Sequence, residues 1–123
     1  MEASLALIAH RGRQLDMVEL AVRHVRLLRC CALVATEATG KLLEDEVGLR
    51  VERLKPGLVA ARVAMGEVDA VVFLVDSRSG HRHEPDLRGL LRVCNLHDVP
   101  LATNLGSADL LMDAVAASWL AVS

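Results

Sequence analysis

The chain has 123 residues, 53% hydrophobic and 24% charged, with a formal net charge of −2 when the histidines are counted as neutral. That is a globular composition, sized for one domain over residues 1–123 and able to bury roughly two thirds of its unfolded surface. Slight acidity, with one Phe, one Trp and no Tyr, excludes an aromatic base-stacking surface and argues against a nucleic-acid partner.

Ser4-Leu-Ala-Leu-Ile-Ala9 opens the chain as a short strand ending at the polar His10. It lacks the basic start and cleavage site of a signal peptide, and every uncharged apolar run is strand-length, so a cytoplasmic protein with no membrane span is expected. Met17, Leu20, Ala21, His24, Val25 and Leu28 follow at the spacing of one amphipathic helix, with His24 as a packing residue on its stripe. Cys30, Cys31 and Cys94 form no disulfide framework and read as inert packing residues. A second strand, Ala32 to Ala35, runs into Thr36-Glu-Ala-Thr39-Gly40, then a helix from about Thr39 to Glu46 that stops at Gly48.

Leu49 to Leu54 suits a third strand. Pro56-Gly57 is a turn before a helix over Val59 to Met65, closed by Gly66. Ala70 to Val75 is the clearest strand. Pro85 fits the first position of the next helix, whose apolar face is Leu87, Leu90, Leu91 and Cys94. Leu101 to Thr103 is a fifth strand, and Ala108 to Trp119 a last amphipathic helix. Strands alternating with helices predict an α/β fold of three layers, α/β/α, around a five-stranded parallel sheet.

A parallel sheet puts every strand's carboxyl end on one edge. His10 and Arg11, Thr36 and Thr39, Lys55, Asp76 with His81 and His83, and Asn104 all follow strands there. This convergence predicts a ligand site. Thr36 to Gly40 could bind an anion at a helix N-terminus, or Thr could simply cap that helix. Asp76 to Arg88 carries two histidines, three carboxylates and three arginines. It reads either as a solvated polar loop or as an acid/base pair in which Asp86 orients His83. No Cys–His spacing completes a metal site, so no metal is expected. There is no P-loop, dinucleotide loop or nucleophile elbow.

Leu5 to His10, Val34 to Gly40, His83-Glu-Pro-Asp86 with Leu90-Leu-Arg92, and Val99 to Asn104 resemble methylglyoxal synthase, in order and spacing over nearly the whole chain. The resemblance implies a homohexamer that uses no cofactor and removes a proton from dihydroxyacetone phosphate. An enediolate then expels phosphate to leave methylglyoxal. It carries over to His10, Thr36, Thr39, Asp76, His83 and Asp86. His83 would polarise the carbonyl with Asp86 in support, while Thr36 and Thr39, with Gly40 beside them, would hold the phosphate.

Three departures follow. The family's Ser-Gly-Pro-x-Gly-Gly-Asp-Gln-Gln loop, which carries the base, is replaced by Leu54-Lys55-Pro-Gly-Leu58. A phosphate-binding lysine is Gln14 here, with Arg13 beside it as the substitute, and Thr-Gly-Thr-Thr-Gly has become Thr36-Glu-Ala-Thr-Gly40. Loss of a positioned base costs on the order of 10²–10⁴-fold in rate. Asp86, or Asp76 as a displaced base, is then the candidate, with His83 as electrophile. The alternative is a non-catalytic phosphate- or anion-binding domain, regulatory or for assembly. Relatives of this fold serve as regulatory domains of carbamoyl phosphate synthetase.

Overall fold

A computed structural model describes residues 2–78 and 86–122, with side chains through 118. Five strands form one sheet in the order β3-β2-β1-β4-β5, with every neighbouring pair parallel. They are β1 (Ser4–Ala9), β2 (Ala32–Thr36), β3 (Glu52–Leu54), β4 (Ala70–Leu74) and β5 (Leu101–Ala102). The helices are α1 (Gln14–Arg23), α2 (Val25–Arg29), α3 (Glu37–Val47), α4 (Pro56–Ala64), α5 (Leu87–Leu96) and α6 (Leu105–Val122).

Alternation along the strands sorts the core onto two faces. Leu5, Leu7, Ala9, Leu33 and Ala35 pack with Met17, Leu20, Leu28, Leu43, Ala108 and Met112 from α1, α2, α3 and α6. Ala6, Ile8, Val34, Val71 and Phe73 pack with Val59, Val63, Leu90 and Cys94 from α4 and α5. The sheet therefore lies between two helical layers, as the sequence predicts.

Several boundaries differ from the sequence reading. The helix expected from Met17 to Leu28 is broken at His24 (φ −112°, ψ 25°) into α1 and α2. His24 is partly buried, as expected, and its Nε2 also lies 2.7 Å from Asp109 Oδ1 on α6, a partner far away in sequence. Leu49 and Val51 are buried, yet only Glu52–Leu54 pairs with β2, so β3 is half its expected length. β4 stops at Leu74 and β5 at Ala102, one residue before each expected end.

α3 begins at Glu37, which is therefore helical rather than in a loop, and α4 begins at Pro56. Gly48 closes α3 with φ +74°, a left-handed conformation that glycine adopts without Cβ strain. Cys94 is buried as expected and Cys30 is exposed, so only the former is a core residue. Cys31 is half-buried, and burial pushes its thiol up to about 11. The expectation for Pro85 falls outside the described residues.

A single residue, Lys55, connects β3 to α4. No helix among the described residues is long and apolar enough to cross a membrane.

Candidate functional site

The strand order reverses direction between β1 and β4: β2 and β3 extend one way from β1, and β4 and β5 the other. At such a reversal in a parallel sheet a ligand crevice is expected, at the carboxyl ends of the two strands. His10 and Asp76 meet in it.

His10 follows β1 and is 2% exposed. Its backbone N–H donates to the Leu74 carbonyl at 3.0 Å, which carries the β1–β4 pairing one residue past the strand. Its Nδ1 accepts from the Asp76 backbone N–H at 2.9 Å, and its ring stands edge-on to Phe73 with centroids 5.0 Å apart. A ring nitrogen that accepts is unprotonated, so the ring proton sits on Nε2.

The Asp76 carboxylate lies against Gly12 in the 3₁₀ turn Arg11–Arg13, where a Cβ would come within 2.2 Å of Asp76 Oδ2. Glycine at this position leaves the Asp76 carboxylate the space it occupies. Asp76 Oδ1 also accepts from the Arg78 N–H at 3.0 Å, which turns the chain back after β4.

Arg13 reaches the same crevice. Its Nη1 donates to the Val75 carbonyl at 2.9 Å and its Nε to Asp16 Oδ2 at 2.7 Å. On the other side of β1, the Thr39 hydroxyl accepts from the Ala9 N–H at 3.2 Å and from the Thr36 hydroxyl at 3.4 Å. Both threonines are buried. Thr36 occupies the cap position of α3 but makes no side-chain cap bond, so its hydroxyl serves Thr39 instead of the helix end. Asp86 does cap its helix: its Oδ1 accepts from the Arg88 N–H at 3.0 Å at the start of α5. Asn104 does the same for α6, accepting from the Ser107 N–H at 2.9 Å.

Gly40 is buried one residue beyond Thr39, with the stem of Arg53 across it; a Cβ there would lie 2.5 Å from Arg53 Cγ. Arg53 Nε stands 3.4 Å from Glu44 and 3.7 Å from Glu37. The negative charge that Glu37 brings to the threonine turn is thus offset by a cation from the neighbouring strand. Lys55 is exposed at the start of α4, directly after the Leu54 that pairs with Thr36.

Of the site residues expected from sequence, the structure joins His10, Asp76 and Arg13 around the crevice, with Thr36 and Thr39 on the flank of β1. Gly40 and Lys55 lie beside the threonine turn, and Asp86 stands at the head of α5. His81 and His83 fall outside the described residues. Sequence reading missed Asp16 and Arg53, whose relevance depends on partners brought close by folding. The signal for Asp16 was its i, i+3 spacing from Arg13. For Arg53 there was none without the register of β3 on β2.

The model of the MGS-like domain matches residues 16–103. The chain belongs to the methylglyoxal synthase family. Its similarity extends through most of its length: 45% identity to the methylglyoxal synthase of Ralstonia nicotianae, covering 90% of this chain and 87% of that one. The Thermus thermophilus methylglyoxal synthase is 46% identical, with 89% and 91% covered. Among solved structures, the methylglyoxal synthase of Elizabethkingia anophelis superposes with a TM-score of 0.87 at 27% identity, over 90% of this chain and 77% of that one. The three-layer fold is therefore the fold of the methylglyoxal synthases, and the His10–Asp76 crevice lies at its strand-order reversal.

Proposed function

We propose that this chain binds dihydroxyacetone phosphate, or the phosphate anion alone, in the crevice between β1 and β4. Arg13, Thr36, Thr39, Gly40 and Lys55 serve the phosphate. His10, Asp76, His83 and Asp86 serve the reacting carbons. The observation that carries this reading is the hydrogen bond between the Asp76 backbone and His10, which seats a carboxylate beside a buried imidazole at the strand-order reversal.

In the family reaction a base removes a proton from the carbinol carbon next to the carbonyl, an enediolate forms, and the C–O bond to phosphate breaks. Asp76 is preferred as the base for its place beside His10; its Oδ1 accepts from the Arg78 N–H just as Asp86 Oδ1 accepts from the Arg88 N–H. His83 supports the substrate carbonyl, and His10 is a further substrate-contacting residue. No metal or organic cofactor enters this scheme.

The one-residue connection at Lys55 leaves no room for the base-carrying loop of the family. Turnover is therefore lower than in relatives that have that loop, on the order of 10²–10⁴-fold. The same connection favours a second reading, a binding or assembly domain without catalysis. We take the chain to be cytoplasmic and a homo-oligomer, a hexamer as in the family.

The deciding experiment is a direct assay of methylglyoxal formed from dihydroxyacetone phosphate. Slow formation that His83→Ala and Asp76→Asn both abolish supports the enzyme. No formation, with phosphate still raising the melting temperature, leaves the binding domain. No formation and no phosphate effect removes both readings.

A further inference from the structure

We propose that Asp16 is a positioning residue whose carboxylate aims the Arg13 guanidinium at the anion end of the crevice. The proposal rests on the reading of that crevice given above. Arg13 ends the turn after His10, and Asp16 lies in the first turn of α1. The Arg13 guanidinium is held at two non-equivalent points: Nε by Asp16 Oδ2 at 2.7 Å and Nη1 by the Val75 carbonyl at 2.9 Å. Val75 directly precedes Asp76, so the second tether reaches across to the β4 wall of the crevice.

A planar group fixed at two points on different edges cannot swing about its stem. Of the five N–H donors on an arginine, three remain for a ligand, two of them on Nη2. An exposed arginine without such tethers would have to give up many rotamers on binding an anion. Here the ordering is already done, and the Arg13 side chain is 25% exposed.

A blander role exists for Asp16. An acid in the first turn of a helix interacts with the positive end of the backbone dipole, and surface i, i+3 pairs contribute little. The two roles predict opposite signs. If Asp16 is only a helix-end charge, removing it takes a negative charge away from an anion site and leaves phosphate affinity equal or tighter. If it aims Arg13, removing it weakens binding even though the site becomes more positive.

The test is calorimetric titration of the full chain with inorganic phosphate, for wild type, Asp16→Ala, Asp16→Asn, Asp16→Glu, Arg13→Ala and the double variant Asp16→Ala/Arg13→Ala. Loss of Arg13 weakens binding roughly tenfold or more, the usual scale for a charge-assisted contact. Asp16→Ala weakens it about three- to tenfold, Asp16→Asn less and Asp16→Glu least, since these keep an acceptor for Nε. The double variant is no weaker than Arg13→Ala, because Asp16 acts only through Arg13. Should Asp16→Ala fail to fold, Asp16→Asn is close in shape and carries the test. Affinity in the Asp16 variants equal to or tighter than wild type, with Arg13→Ala still weak, overturns the proposal and leaves the crevice reading intact. Absence of phosphate binding in the wild type removes the crevice reading, and the proposal with it.

Discussion

The backbone N–H of Asp76 donates to Nδ1 of His10 at 2.9 Å, joining the ends of two central strands through a side chain. The bond assigns the imidazole proton to Nε2. At mildly alkaline pH, nitrogen-15 spectra should show His10 as the Nε2–H tautomer. An Nδ1–H signature for this residue contradicts the geometry. His10→Ala leaves the Asp76 N–H without its partner and should cost about 1–3 kcal/mol of stability, read from denaturant unfolding.

Gly12 has room for a hydrogen and little else. Gly12→Ala drives a methyl group to 2.2 Å from Asp76 Oδ2, so the Asp76 carboxylate must rotate away or the two loops must shift. The expected cost is about 1–3 kcal/mol, with weaker phosphate binding alongside. A variant as stable as wild type with unchanged phosphate affinity would mean that the two loops are not held in this approach.

Thr39 supplies the acceptor for the Ala9 N–H at the end of the central strand. Thr39→Val keeps the shape and removes the oxygen, stranding a buried donor at a cost of about 1–3 kcal/mol. Thr39→Ser retains the acceptor and should lose less. A Val variant as stable as wild type, with the Ser variant weaker, would assign the stability to the methyl group.

Asp109 on α6 receives His24 and Arg23, and the hydrogen bond from His24, followed by that from Arg23, holds its carboxyl below the ordinary carboxylate range. A carboxyl whose pKa falls on folding adds stability above its unfolded pKa and loses it as pH drops through the lowered folded value. Asp109→Asn should therefore lower the melting temperature at neutral pH, by no more than about 1 kcal/mol in stability for so exposed a group. The gap from wild type should close in acid. A gap that persists or widens in acid means that Asp109 contributes through packing instead.

The fold was legible where periodicity and punctuation agree: the apolar run Ala70 to Val75, the stop at Gly48, and the strand that ends at His10. It was less legible where a distant partner overrides a local pattern. The stripe from Met17 to Leu28 gives no hint that Asp109, 85 residues away, would accept from His24 beside a break in the helix. Leu49 and Val51 satisfy the burial of a strand without its pairing. The site followed the same rule. Parallel topology brings the strand-end residues to one edge, so the placement of His10, Asp76 and the threonines there could be read in advance. The roles of Asp16 and Arg53 depend on contacts that spacing alone does not specify.

The single-residue link at Lys55 also makes the scaffold a recipient. Pro56 starts α4 at once, and Val59 and Val63 lock that helix onto the sheet with no help from a longer connection. Extra residues spliced in at Lys55 would stay outside the core, and each doubling of a loop's length costs only about 0.6 kcal/mol in closure entropy. Transplanting the acid-bearing segment of a relative into this position is then a gain-of-function experiment on a chassis that already folds.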